Sequence, residues 1–156
     1  MIFKQKVILF LATGFYAGKA PAAPGTAGTL VGLVFCFFLS RLEPVFSFFC
    51  IALVTALSVW ITDKAEKLLA RKDPGEIVLD EIAGIMVTMA GLPFTAFSAV
   101  SGFILFRVLD ILKPFPIRVL DQKVPGGAGI VADDIAAGVM GNIVLRIILY
   151  LTGSGG

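Results

Sequence analysis

The sequence predicts an all-α fold: an integral membrane helical bundle with short or re-entrant helices and polar connectors on one face. Three observations carry this reading. Hydrophobic residues make up 58% of the 156-residue chain and mean hydropathy is +0.97, whereas soluble domains are roughly 45–50% apolar. The apolar residues fall into four runs: Leu30 to Leu39, Val45 to Ile61, Ile82 to Phe106 and Ile135 to Leu151. Ten of the eleven acids lie between Asp63 and Asp134. Acids among lipid-facing helices are costly, so this crowding marks one polar site or a stretch outside the bilayer.

The elements follow in chain order. At the amino end, Lys4 and Lys6, then Val7 to Ala12, then "APAA" have the pattern of a secretory signal. Gly14 interrupts that apolar stretch early, which favours a retained helix on the membrane surface. A spanning helix needs ~20 residues. The second and fourth runs meet this, and the first does so only if Ala27 to Leu42 is counted whole. The short turn Ser40 to Pro44 makes runs one and two a helical hairpin. Gly91-Leu92-Pro93 breaks the third run, because proline removes a helical hydrogen bond and clashes with the preceding turn. Two shorter helices are expected there, Glu81 to Ala90 and Thr95 to Ile111, as a hairpin that dips in and returns. Three polar connectors remain: Lys19 to Thr26, Asp63 to Asp80 and Arg107 to Asp134. Their lysines and arginines place them on the cytoplasmic side. The chain reads as a single domain, 1–156, with residues 152–156 ("TGSGG") as a flexible tail.

Several chemistries are excluded. A net charge of +2 does not argue for nucleic acid, and there is no histidine. Cys36 and Cys50 sit in apolar runs, which suits neither a disulfide framework nor a zinc site. Neither cysteine begins a Cys-x5-Arg phosphate loop, and no Walker A or Asp-x-Asp motif occurs. For phosphoryl chemistry this leaves metal-activated water or an aspartyl nucleophile.

The acids themselves are patterned. "GEIVLDEIAGIM" (Gly75 to Met86) and "GIVADDIAAGVM" (Gly129 to Met140) both read Ile-Val-x-Asp-acid-Ile-Ala. Each pair, Asp80-Glu81 and Asp133-Asp134, is expected to follow a small extended piece and to open an apolar helix. One capping aspartate would satisfy a helix start, at ~0.3–1 kcal/mol for its charge. A second adjacent acid, occurring twice, points to a shared metal site, and hard oxygen donors favour Mg²⁺ or Mn²⁺. In "FRVLDILKPFPIRVLD" (Phe106 to Asp121), Arg107, Asp110 and Lys113 recur every third residue and share a helix face. They read either as an exposed ion-pair ladder or as Asp110 joining the metal site with Arg107 and Lys113 aimed at an anion. In "KAPAAPGTAGTL" (Lys19 to Leu30), the first-turn amides with Thr26 and Thr29 could hold a phosphate. Close helix packing through small residues is the plainer alternative.

The motifs "APGTAGTL", "GEIVLDEIAG", "LFRVLDILKPFPIRVLD" and "GGAGIVADDIAAG" together closely resemble the phosphatidylglycerophosphatase A family, from about Gly14 to about Gly141. The resemblance implies an all-helical, Mg²⁺-dependent lipid phosphatase of the bacterial inner membrane that removes the terminal phosphate of phosphatidylglycerophosphate. It marks Asp80, Glu81, Asp110, Asp133 and Asp134 as the catalytic and metal-binding centre, and also covers Thr26, Thr29, Asp73, Arg107, Lys113, Arg118 and Asp121. Thr26, Thr29, Arg107, Lys113 and Arg118 are the expected substrate contacts, with a phospholipid in the bilayer as the partner. Two rivals are a CDP-alcohol phosphotransferase-like enzyme and an acidic-site cation transporter. The first lacks its Asp-x2-Asp-Gly-x2-Ala-Arg string here. The second should line a path through the membrane, whereas these acids cluster at helix starts. Arg146, outside the family pattern, is expected buried among helices or at the far interface.

Overall fold

The computed structural model describes residues 2–154; Gly155 and Gly156 of the expected tail lie outside the described residues. Those residues form seven α-helices: α1 (Phe3–Ala12), α2 (Pro24–Leu39), α3 (Pro44–Leu69), α4 (Leu79–Met89), α5 (Ala96–Leu112), α6 (Ile117–Lys123) and α7 (Gly126–Leu151). The all-α reading is correct. α3 and α7 have 26 residues each and are apolar enough to cross a membrane, about 39 Å at 1.5 Å per residue. Much of their apolar surface faces outward, including Phe49, Leu53, Leu57 and Trp60 on α3 and Ile143 and Ile147 on α7.

The chain turns where the sequence breaks, but the expected hairpin of runs one and two does not pack as one: α2 lies against α4 and α3 against α7, while α4 and α5 do pack on each other. α2 and α3 are joined by the turn ending at Pro44, which begins α3. α4 and α5 are separated at Gly91-Leu92-Pro93, where Gly91 has φ +66°. Two boundaries differ from expectation. α3 runs on to Leu69, into the first part of what reads as a polar connector, where Asp63 and Lys67 pair one turn apart (2.7 Å) on its surface. α7 begins at Gly126, so "GGAGIVA" is helical, not extended. Its glycines let it lie tight on α3: a Cβ on Gly127 would come within 2.7 Å of the Asp63 Cα.

α4 is the hub. At 11 residues it is about 16 Å long, too short to cross a bilayer. It is enclosed by α2, α3, α5 and α7. Ile82, Ile85, Met86 and Met89 form the core with Phe106 of α5 and Ala137, Leu145 and Leu149 of α7. Glycines set the spacing. A Cβ on Gly138 would lie 2.5 Å from the Gly84 carbonyl oxygen, and one on Gly32 would lie 3.1 Å from the Ile82 Cα. α4 therefore touches α7 and α2 backbone to backbone. At the amino end, α1 packs Ile8 and Ala12 on Ile61 and Ala65 of α3, and the Ala12 carbonyl accepts from the Val78 amide at 2.9 Å, just before α4.

The carboxyl end of α4 stops among apolar side chains, where its last carbonyls have no next turn to bond. α7 supplies the donors. The Asn142 amide donates to the carbonyls of Val87 (3.3 Å), Thr88 (2.8 Å) and Ala90 (3.0 Å). Arg146 donates through Nη2 to Ala90 O (2.9 Å) and through Nε to Asn142 Oδ1 (2.8 Å). Arg146 thus sits at the end of the bundle opposite the acids and is exposed there, not buried. Leaving those carbonyls unpaired costs about 1–3 kcal/mol. Asn142→Ala is expected to destabilise the purified protein by that amount in a thermal unfolding assay. An unchanged midpoint would show that the caps carry no stability.

Candidate metal and phosphate site

The acids gather at the opposite end of α4. Asp80 and Glu81 lie in its first turn, where carboxylates suit the positive end of the helix dipole. Asp134 arrives from α7, carried in by the Gly84–Gly138 contact. Carboxylate oxygens of Asp80, Glu81 and Asp134 lie within 4.8 Å of one another. Asp80 and Asp134 are buried. Asp80 Oδ1, Glu81 Oε2, Asp133 Oδ1 and Asp134 Oδ2 are buried with no hydrogen-bond partner among the described residues. Buried polar atoms are nearly always satisfied, and converging carboxylates repel. A hard divalent cation is the ligand that fits three such oxygens.

Capping does not explain the second pair. α7 starts at Gly126, so Asp133 and Asp134 stand about two turns inside it. Neighbours on a helix point about 100° apart, and these two part company. Asp134 joins the triad. Asp133 accepts from Lys113 Nζ at 2.6 Å, and the same ammonium donates to Asp121 of α6, also at 2.6 Å. The expected centre of five acids is therefore divided. Asp110 is held by Arg107 (2.5 Å), whose Nη1 also lies 3.9 Å from Glu81 Oε1. The exposed ladder is not what forms: Arg107, Asp110 and Glu81 retain about 15% side-chain exposure.

A cavity of about 650 Å³ opens over the triad, lined by Asp80, Glu81, Asp110, Lys113, Asp133 and Asp134 together with the α3–α4 loop and α6. Arg107 lies behind the carboxylates and outside the cavity wall, against α2: a Cβ on Gly25 would come 3.0 Å from its Nη1. Thr29 is fully buried and its hydroxyl donates to the Gly25 carbonyl (2.8 Å), so it packs α2 on α4 and does not face the cavity. Thr26 is half-buried in the first turn of α2, and Arg118 is exposed on α6; neither lines the cavity. Asp73 and Asp121 do. Sequence reading missed Glu66 and Lys72 in the wall. Glu66 was legible only as one turn beyond Asp63 on a helix whose end was set too early.

A model of the family described as Phosphatidylglycerophosphatase A matches residues 10–149. The chain belongs to the phosphatidylglycerophosphatase A family. It is thereby a phosphomonoesterase, with its acidic triad and cavity inside the matched region. Phosphatidylglycerophosphatase A of Escherichia coli is 37% identical over 88% of this chain and 81% of its own. The Haemophilus influenzae protein of the same name is 38% identical over 92% and 89%. A Bacteroides thetaiotaomicron protein, provisionally named a phosphatidylinositol-3-phosphatase, is 30% identical over 93% and 95%. No solved structure matches the chain significantly.

Charge in this family member's site is set by burial. Burial raises the Asp80 carboxyl well above its ordinary value, and the Glu81 charge adds to this. Burial also pushes Glu81 up to about 7, with Asp110 adding and Arg107 opposing. Lys113 is destabilised as a cation by burial, but Asp121 and Asp133 outweigh that and raise its pKa. The sign for stability follows. A carboxyl whose folded-state pKa is raised contributes stability that is fully present below its unfolded value of about 4. That contribution is lost as pH rises through the folded value, near 7 for Glu81. The metal-free protein is expected to have a lower thermal midpoint at pH 8 than at pH 5.5. Mg²⁺ should raise the midpoint more at pH 8, and Asp134→Asn should shrink both effects. A Mg²⁺ response equal at the two pH values, or unchanged in the variant, would dissociate the triad from the metal.

Proposed function

We propose that this protein is a Mg²⁺-dependent phosphatidylglycerophosphate phosphatase of a bacterial inner membrane. It is a single multi-pass domain, with Mn²⁺ as the alternative ion and its site at the cytoplasmic face. It converts phosphatidylglycerophosphate and water to phosphatidylglycerol and inorganic phosphate. The observation that carries the proposal is the buried triad Asp80, Glu81 and Asp134, its oxygens unpartnered, on the floor of the cavity. Membrane insertion is supported by α3 and α7, long, apolar and mostly turned outward. The substrate is supported by the names of the Escherichia coli and Haemophilus influenzae relatives.

A divalent ion held by Asp80, Glu81 and Asp134 would supply Lewis acidity toward the phosphate and the attacking water. The chain's own residues do the rest. The cavity admits the glycerophosphate head while the acyl chains remain against the outward apolar faces. Lys113 Nζ, on the cavity wall, meets the phosphate oxygens and stabilises charge that grows in the transition state. Asp133, on the cavity wall, takes the proton of the attacking water through Oδ1, a role supported by that oxygen's having no hydrogen-bond partner among the described residues. Arg107 fixes Glu81 and Asp110 from behind. As the bond from phosphorus to the leaving alkoxide breaks, that oxygen takes up, through solvent, the proton that Asp133 releases, returning the site to its starting state. Thr26 and Arg118 are assigned to the approaching head group at the cavity's margin.

The test is phosphate release from phosphatidylglycerophosphate by the purified protein, with Mg²⁺ or with a chelator, beside phosphatidylinositol 3-phosphate as a competing substrate. Release that needs Mg²⁺ and favours phosphatidylglycerophosphate supports the proposal. Release indifferent to chelator overturns its metal dependence, and preference for the inositol lipid overturns its substrate. Lys113→Ala is expected to lower turnover by roughly 10²–10³, the scale for losing one transition-state donor. Asp80→Asn should abolish release while leaving helical content intact.

A further inference from the structure

The cavity wall carries eight acids and two lysines, Lys72 and Lys113. A phosphate monoester adds two further negative charges near neutral pH. One divalent ion at the triad leaves this balance far from neutral, and phosphatases commonly solve it with a second ion ~3.5–4 Å from the first. The acids that would bind such an ion are present. Asp133 immediately precedes Asp134 on α7, with Cα atoms about 3.8 Å apart, and Asp121 faces it from α6. Between them lies Lys113 Nζ, at 2.6 Å from each carboxylate.

Resting on the metal-dependent reading above, we propose that the Lys113 ammonium occupies the second cation position. The enzyme then works with one divalent ion and one tethered cation. Asp133 and Asp134 divide the labour: Asp134 serves the ion and Asp133 the lysine. Two features support a built position over a surface ion pair. Asp133 is buried, with 5% side-chain exposure, it lines the cavity, and its second oxygen, Oδ1, is buried with no hydrogen-bond partner among the described residues. Lys113 also closes α5 in a left-handed conformation, φ +43°, which ends the helix where its side chain can reach α6 and α7 together. The lysine's charge is joined covalently to the chain, unlike that of an exchangeable ion. A tethered cation also costs no dissociation equilibrium, so activity should follow occupancy of a single metal site.

The experiment counts Mn²⁺ bound to the full-length protein in detergent, by equilibrium dialysis and by Mn²⁺ electron paramagnetic resonance. One Mn²⁺ per chain with no spin-coupled signal is expected for the wild type. Lys113→Met should bind two, the second on Asp121 and Asp133, with a coupled-pair signal and with phosphate release that recovers in part only at high Mg²⁺. Two ions in the wild type overturn the inference while leaving a metal-dependent phosphatase standing. No tight ion in the wild type overturns the metal reading itself. A Lys113→Met protein that is folded and still binds one ion shows that the lysine does not hold a cation position. The wild-type count decides the matter alone should the variant not fold.

Discussion

Three carboxylates brought together away from water are the constraint on which the rest of the structure depends. Without a cation they repel, and each raises the free energy of ionising the others. The surrounding fold is organised to keep them together nonetheless. α4 presents Asp80 and Glu81 at its positive end, where the backbone offsets part of their charge. α7 is drawn against α4 through glycine so that Asp134 can reach them. Arg107 ties Glu81 to Asp110 from the rear, and Lys113 takes Asp133 out of the cluster. Positive charge from the protein thus meets the acids at the edges of the triad and leaves its centre, which has the geometry to hold a metal, without a protein cation.

Helix lengths serve the same end. A helix crossing the whole bundle would carry its first turn past the cavity. α4 is instead shorter than each of the four helices around it and is fixed at its carboxyl end by Asn142 and Arg146. A helix end set among apolar side chains is tolerated where neighbouring groups satisfy its last carbonyls, and α7 does so for Val87, Thr88 and Ala90. The same helix therefore delivers an acid at one end of α4 and carbonyl donors at the other.

Much of this was legible in the chain. The apolar runs located α2, α3 and the two halves of the third run, and Gly91-Leu92-Pro93 marked the break between α4 and α5. The paired acids pointed to a cation. What the sequence concealed depends on tertiary contact. "GGAGIVA" has poor helix propensity and reads as a loop, but packing of Gly127 on Asp63 makes it two turns of α7. The repeated Ile-Val-x-Asp-acid-Ile-Ala string likewise suggested two equivalent helix starts, and only one exists. Nor does any local pattern say that Asp133 and Asp134 serve different partners, because a helix turns adjacent residues apart and the partners come from α4, α5 and α6. Thr29 and Arg107 were chemically suitable for phosphate, yet packing turned one into a spacer and the other into a brace.

The glycine seam between α4 and α7 bears on how freely this chain can change. On the outer face of α7, Val139, Ile143 and Ile147 are exposed, and one apolar residue there can replace another without shifting the backbone. On the inner face, a single methyl at Gly138 would press on the Gly84 carbonyl and separate Asp134 from Asp80. Sequence drift is thus cheap on one side of the helix and nearly forbidden on the other. The two faces tolerate change unequally, although they are the same few turns of the same polypeptide.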